Sequence, residues 1–152
     1  MDKFSIQIRD YNSNDYPDVD YLWQITDLGG KERGDDNDVI EETIKNGGKL
    51  IILEKSEDNK IIGTSWITND KRRLYLHHFC IHPDFQGQGL SKILARESLE
   101  FAKKQKLQIK LEVHNTNVKA IDLYKNIGFK YLGDYDVYII RDVEKCDSFN
   151  NI

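Results

Sequence analysis

The stretch Gln86-Gly87-Gln88-Gly89-Leu90-Ser91 carries the clearest chemistry in this 152-residue chain. Ahead of it, residues 74–81 are apolar, aromatic and β-branched, which predicts a strand. His82-Pro83-Asp84 ends that strand, because proline lacks the N–H a ladder needs. Behind the glycines, Leu90, Ile93, Leu94, Phe101 and Ala102 recur at helical spacing through Lys104, with Ser98 a small residue on the same face and Leu99 off it. Glycines at such a strand-to-helix turn can bare several backbone N–H groups at the positive end of a helix. That arrangement binds an anion, most naturally a phosphate. A Cβ would block close approach or forbid the positive φ required. The spacing is not a Walker A loop, since no Gly-Lys-Ser/Thr follows. Nor is it the dinucleotide fingerprint, which needs a third glycine and an acid placed for a ribose.

The 74–81 strand also holds titratable groups. His77 has a side chain whose ordinary pKa of ~6.5 suits acid–base work near neutrality. Strict alternation puts Tyr75, His77, Phe79 and Ile81 on one face and His78 on the other. Cys80 lies in the same strand, where a buried thiol is usually inert.

Other elements must hold this turn in place. Residues 4–9 alternate and predict a half-buried strand. Residues 16–28 carry Tyr16, Val19, Leu22, Trp23 and Ile25 on a rough helical face, broken by Gly29-Gly30, and residues 31–34 read as a loop. Asp35 or Asp36 can cap a second helix running to about Lys45, with Val39, Ile40 and Ile44 inward. Asn46-Gly47-Gly48 stops it in the left-handed manner. Residues 50–54 and 61–68 predict two strands, residues 107–113 another, and residues 115–126 a short helix with Ala120, Leu123 and Tyr124 inward, closed by Gly128. Residues 129–132 and 137–141 read as final strands around Gly133-Asp134, with a frayed tail after residue 143. The expected fold is one α/β domain over residues 1–145, with 146–152 as a tail.

Composition narrows the class. With 39% hydrophobic and 32% charged residues the chain reads as soluble and globular. No apolar run approaches the ~20 residues of a membrane span. The N-terminus lacks a signal peptide's layout, and two cysteines fit a reducing compartment, so the expectation is a cytoplasmic protein. Four histidines and two cysteines show no zinc spacing, so no metal is expected. A net charge of −4 argues against nucleic acid.

A second constellation follows the 107–113 strand: Glu112, Asn117, Ala120, Leu123-Tyr124 and Gly128-Phe129. The pattern Asn-x-x-Ala-x-x-Leu-Tyr-x-x-x-Gly-Phe resembles motif B of the GCN5-related N-acetyltransferases, the GNAT superfamily. Gln86-x-x-Gly89-x-Ser91 resembles motif A of the same family, with Ser91 in place of the usual final Gly or Ala. The resemblance covers about residues 60–135; earlier residues share only the order of elements. It implies a mixed, mostly antiparallel sheet flanked by helices, splayed between strands 74–81 and 107–113. A pantetheine arm would lie in that gap as a surrogate strand. It implies acetyl-CoA as co-substrate, with Phe79, Cys80 and Ile81 giving backbone contacts to pantetheine. Gln86, Gly87, Gln88, Gly89, Leu90, Ser91 and Lys92 would surround the pyrophosphate, and Asn117 would bond the cofactor near its thioester end.

The implied reaction is direct attack of a primary amine, on a small molecule or a peptide, upon the thioester. An amine of pKa ~10.4 is almost wholly protonated at neutral pH, so a base helps, directly or through water. Glu112 holds the place where the family's ribosomal-protein N-terminal acetyltransferases put a catalytic Glu. His77 matches a strand histidine of the aralkylamine acetyltransferases. A free N–H of residues 79–81 would serve the oxyanion. Tyr124 holds the family's position for protonating the leaving thiolate, a thiol of pKa ~8.5 lying below a phenol's ~10. The acceptor site is expected among residues 21–46, which contain Trp23, Arg33 and the acids Asp35, Asp36, Asp38, Glu41 and Glu42. The alternative is a non-catalytic acyl-CoA-binding sensor or partner-binding module. A homodimer is possible, and no membrane partner is expected.

Overall fold

The computed structural model describes residues 4–29 and 33–146. The expected break at Gly30 and the loop residues Lys31 and Glu32 lie outside the described residues. Five strands form one sheet in chain order: β1 (Ile6–Asp10), β2 (Lys49–Lys55), β3 (Lys60–Asn69), β4 (Arg73–Ile81) and β5 (Gln108–Leu111). The first four pair antiparallel and β5 runs parallel to β4, so the sheet is mixed and mostly antiparallel as expected.

Helices cover both faces. On one face lie α1 (Tyr16–Ile25) and α2 (Asn37–Lys45). Val19, Leu22, Trp23 and Ile40 are buried there against Leu50, Ile52 and Trp66. On the other lie α3 (Leu90–Gln105) and α4 (Val118–Ile127), with Leu90, Leu94 and Ala102 packed on Leu53, Ile62, Ile67, Leu74, Leu76 and Ile81. The Asp36 carboxylate caps α2 by accepting from the Val39 N–H at 2.9 Å. Ile40 turns inward, but Val39 is 40% exposed and Ile25 37% exposed, so neither faces the core as expected.

Polar ties fix the layers. Arg9 on β1 forks onto both oxygens of Asp15 at 2.8 Å and also donates to Glu54 on β2. Burial alone would push the Asp15 carboxyl up, yet the Arg9 guanidinium and the Asn12 N–H hold it below its ordinary value. Ser98, the small residue on the α3 face, donates to the Leu94 carbonyl, and its hydroxyl oxygen meets the Ser65 hydroxyl at 2.7 Å.

β4 does not alternate along its whole length. Trp66 stands opposite His77 and Thr64 opposite Cys80, so Ser65 alone faces both His78 and Phe79. That extra residue is a bulge, and it re-aims everything after it. His77 and His78 both reach Trp66, at ring separations of 5.8 and 5.3 Å, while Phe79 and Ile81 join the cluster on the α3 face. The expectation that Tyr75, His77, Phe79 and Ile81 share one face is therefore overturned, as is the placing of His78 opposite His77.

Two further differences concern the end of the chain. α4 starts at Val118 rather than Asn115, with Asn117 as its cap. The final strands expected at 129–132 and 137–141 are absent: no residue there belongs to a ladder. Strand-forming residues make a strand only beside a free edge, and this segment lies against none.

Candidate active site

β4 and β5 part company at one place. Four residue pairs join them, from Arg73 with Gln108 to Leu76 with Leu111. Beyond Leu76 the β5-facing edge of β4 has no strand partner, although β4 continues to Ile81. A cleft of about 1070 Å³ opens there, walled by Phe79, Cys80 and Ile81 on one side and by Leu111, Glu112 and Val113 on the other.

The glycine turn forms one end of this cleft. Gly87 and Gly89 have φ of +78° and +79°, left-handed values that cost other residues about 1–2 kcal/mol. A Cβ built on either meets nothing within 4 Å among the described residues. The first three α3 residues have no intrahelical acceptor for their N–H groups, and no side chain caps the helix at Gly89. No acid stands in the first turn of α3. The result is a cradle of unbonded amides at the positive end of a 16-residue helix. Gly87, Gly89, Leu90, Ser91 and Lys92 line the cleft and Gln88 does not. Gln86 also lines it, but its side-chain amide donates to the Ile81 carbonyl at 3.0 Å and so braces the turn against β4.

Asn117 and Tyr124 enter the same cleft from α4. The Asn117 side-chain oxygen accepts from the Ala120 N–H at 3.2 Å, which caps the helix, and its NH2 has no protein partner among the described residues. Tyr124 packs edge-on to Phe79 and Phe129. Its hydroxyl has no protein partner among the described residues, yet no buried polar atom is left unsatisfied, so the hydroxyl is accessible from the cleft. Burial first, and then the nearby Cys80, push its pKa up to about 12. The Cys80 thiol is likewise raised by burial, which keeps it an uncharged thiol.

At the closed end of the gap the titratable groups form a row. The His77 ring stacks on Tyr75 at 4.4 Å and its Nε2 meets the Thr68 hydroxyl at 2.8 Å. The Tyr75 hydroxyl lies near Glu112, an exposed residue just past β5; burial first, and then this carboxylate, push the phenol's pKa up. Burial, helped by the neighbouring His78, lowers the His77 pKa to about 4. The sequence-predicted pair Glu112 and His77 are thus brought together with Tyr75 between them.

Strict alternation passed over His78. Its Nε2 lies 2.7 Å from Asp35 Oδ2, and its ring stands edge-on to Trp23 at 4.5 Å. Thr64 holds the bulge that turns it: the Thr64 hydroxyl accepts from Trp23 Nε1 and donates to the His78 carbonyl, both at 2.9 Å. Trp23, Thr64, His78 and Asp35 therefore connect α1, the bulge and the approach to α2. Of the acids expected near an acceptor, Asp35 is the one tied to this row; Asp36 caps α2. Arg33 lines the cleft mouth.

Residues 8–129 match the family model described as the acetyltransferase (GNAT) family. The chain belongs to the GNAT acetyltransferase family. Human N-acetyltransferase 8B is 31% identical over 108 residues, which is 66% of this chain and 47% of that protein. The N-alpha-acetyltransferase RimI of Mycobacterium tuberculosis is 36% identical over 58 residues, 38% of this chain and 35% of its own. This chain thus spans less than half the length of these curated relatives. A GNAT-family acetyltransferase from Staphylococcus aureus superposes with a TM-score of 0.74 at 20% identity, over 87% of this chain and 89% of that one, so the fold is shared. No cluster able to hold a metal ion is found among the described residues, and no described helix is long and apolar enough to cross a membrane.

Proposed function

We propose that this chain is an acetyl-CoA-dependent N-acetyltransferase that acetylates a primary amine. The observation that carries the reading is the parting of β4 from β5 opposite a cradle of unbonded amides. An amide-bearing arm can complete the ladder along β4 beyond Leu76, using the backbone of Phe79, Cys80 and Ile81. A diphosphate suits Gly87, Gly89, Leu90, Ser91 and Lys92, where amides and a helix dipole replace its hydration. Gln86 supports the cradle by holding its turn, and Asn117 offers its NH2 to the arm. Gln88 contributes at most its backbone. When bound, the co-substrate supplies an activated acetyl thioester.

The protein's part is proton management and orientation. Glu112 is the better-placed proton acceptor: it is exposed at the cleft, stands near the Tyr75 hydroxyl, and is able to pass a proton to water. His77 resists taking a proton because burial disfavours its charge, so its neutral ring is an orienting partner for the amine. An N–H of β4 at the bulge can donate to the developing oxyanion. Tyr124 remains a phenol at neutral pH and can give its proton to the departing thiolate.

Turnover against a panel of small-molecule and N-terminal peptide amines, followed by thiol release, tests this reading. Tyr124→Phe should leave acetyl-CoA affinity near wild type and lower kcat about 10²-fold. A wild-type chain that binds CoA tightly and acetylates no amine would instead make it a cofactor sensor.

A further inference from the structure

A second, smaller cavity of about 280 Å³ lies against the first half of β4, lined by Thr68, Asp70, Arg73, Tyr75, His77 and Lys110. Tyr75 and His77 also line the large cleft, so the two spaces meet at these stacked rings. The register explains the grouping. Tyr75 stands opposite Thr68 on β3 and opposite Lys110 on β5, and Arg73 is one same-face step back along β4.

The charges along this groove are ordered. At the cleft end stands Glu112, near the Tyr75 hydroxyl. At the far end stand Arg73, half-buried, and Lys110, exposed. Neither has a carboxylate within ion-pair distance among the described residues. Asp70 shares their cavity, but its Oδ1 already accepts the Arg72 and Arg73 N–H groups at 2.8 and 2.7 Å. Two cations against one such carboxylate leave a positive surplus. That surplus matches the single charge of a carboxylate better than the nearly doubled charge of a phosphate ester. The Arg73 fork also suits a carboxylate's two oxygens.

The spacing selects among carboxylate-bearing amines. Arg73 and His77 are four residues apart, about 13 Å along a strand. An α-amine and its own carboxylate share one carbon and cannot span the groove. An alkyl stem of about four or five carbons, met part-way by the long Arg73 and Lys110 side chains, can. A cavity this small, below the ordinary range for drug-sized ligands, suits such a molecule better than a peptide.

We propose that the acceptor is an ω-amino acid, with its amine at Glu112, its stem over the Tyr75 and His77 rings, and its carboxylate on Arg73 and Lys110. This rests on the acetyl-transfer reading and narrows it to one substrate class.

Thiol release from acetyl-CoA, followed with ε-aminocaproate, with pentylamine as the same stem lacking the carboxylate, and with cadaverine, tests the proposal. In the wild type, kcat/KM for ε-aminocaproate should exceed that for pentylamine by roughly 10- to 100-fold, as a charge-assisted bond implies. Arg73→Met should remove most of that preference, chiefly through KM. Lys110→Glu, at an exposed position, should retain the wild-type circular dichroism and turn the order round, with cadaverine taken in preference to ε-aminocaproate. Two results would overturn the proposal while acetyl transfer stands: no preference for ε-aminocaproate over pentylamine in the wild type, or a preference that neither substitution alters. Thiol release with no amine at all would overturn both readings together.

Discussion

At the scale of single residues, His77 shows how burial changes what a side chain can do. Its imidazole is stacked on Tyr75, bonded to Thr68 and pushed to about 4. Because the folded value lies below the ordinary 6.5, the unfolded chain binds the extra proton first. The stability linked to His77 is full above about pH 6.5 and declines as pH falls toward 4. An NMR titration should therefore show His77 neutral at pH 5.5, and a His77 midpoint near 6.5 would contradict its buried, uncharged role. As the acid limb of His77 falls so low, a rate that climbs between pH 6 and 9 would report the amine rather than this imidazole. Glu112→Gln should cost more in kcat than His77→Gln if the carboxylate takes the proton; steady-state rates of both variants decide that order. The sequence singles out both residues by type and place. It gives no sign that Tyr75 stands between them, since that placing depends on how β4 and β5 align.

At the scale of elements, the bulge in β4 is the feature that strict alternation misses. Residue types carry no mark of it: Leu74 to Ile81 reads as an unbroken strand. The cause is tertiary. Trp23 from α1 and the Thr64 hydroxyl from β3 jointly hold the His78 carbonyl, and two β4 residues crowd opposite Ser65. Thr64→Val keeps the shape and removes both bonds. It leaves Trp23 Nε1 and the His78 carbonyl without partners, a loss of about 2 kcal/mol. Thermal unfolding should then drop by roughly 4–8 °C. Turnover should fall further than acetyl-CoA affinity, because the oxyanion donor loses its anchor; unchanged melting and kcat would show that the hydroxyl does not hold the bulge. The glycine turn, by contrast, is legible from sequence because its requirement is local. Positive φ at Gly87 and Gly89 and a proline-ended strand are written into residue types.

At the scale of the whole molecule, the order of elements and the mixed sheet follow from periodicity and turn residues, and the C-terminal strands do not. Residues 129–141 have strand-like composition, yet a strand is a relation between two segments. Local pattern cannot say whether a segment meets an edge. The splay between β4 and β5 is likewise a whole-fold property, reached from sequence through the resemblance of two motifs rather than through any period. It determines where a thioester co-substrate can lie, and with it the reading of the entire cleft. Backbone hydrogen exchange on the full chain, with and without acetyl-CoA, interrogates that claim amide by amide. Slowed exchange at residues 77–81 and 87–92, with little change along β1 and β2, is the result expected. Binding without protection in those two segments would contradict it.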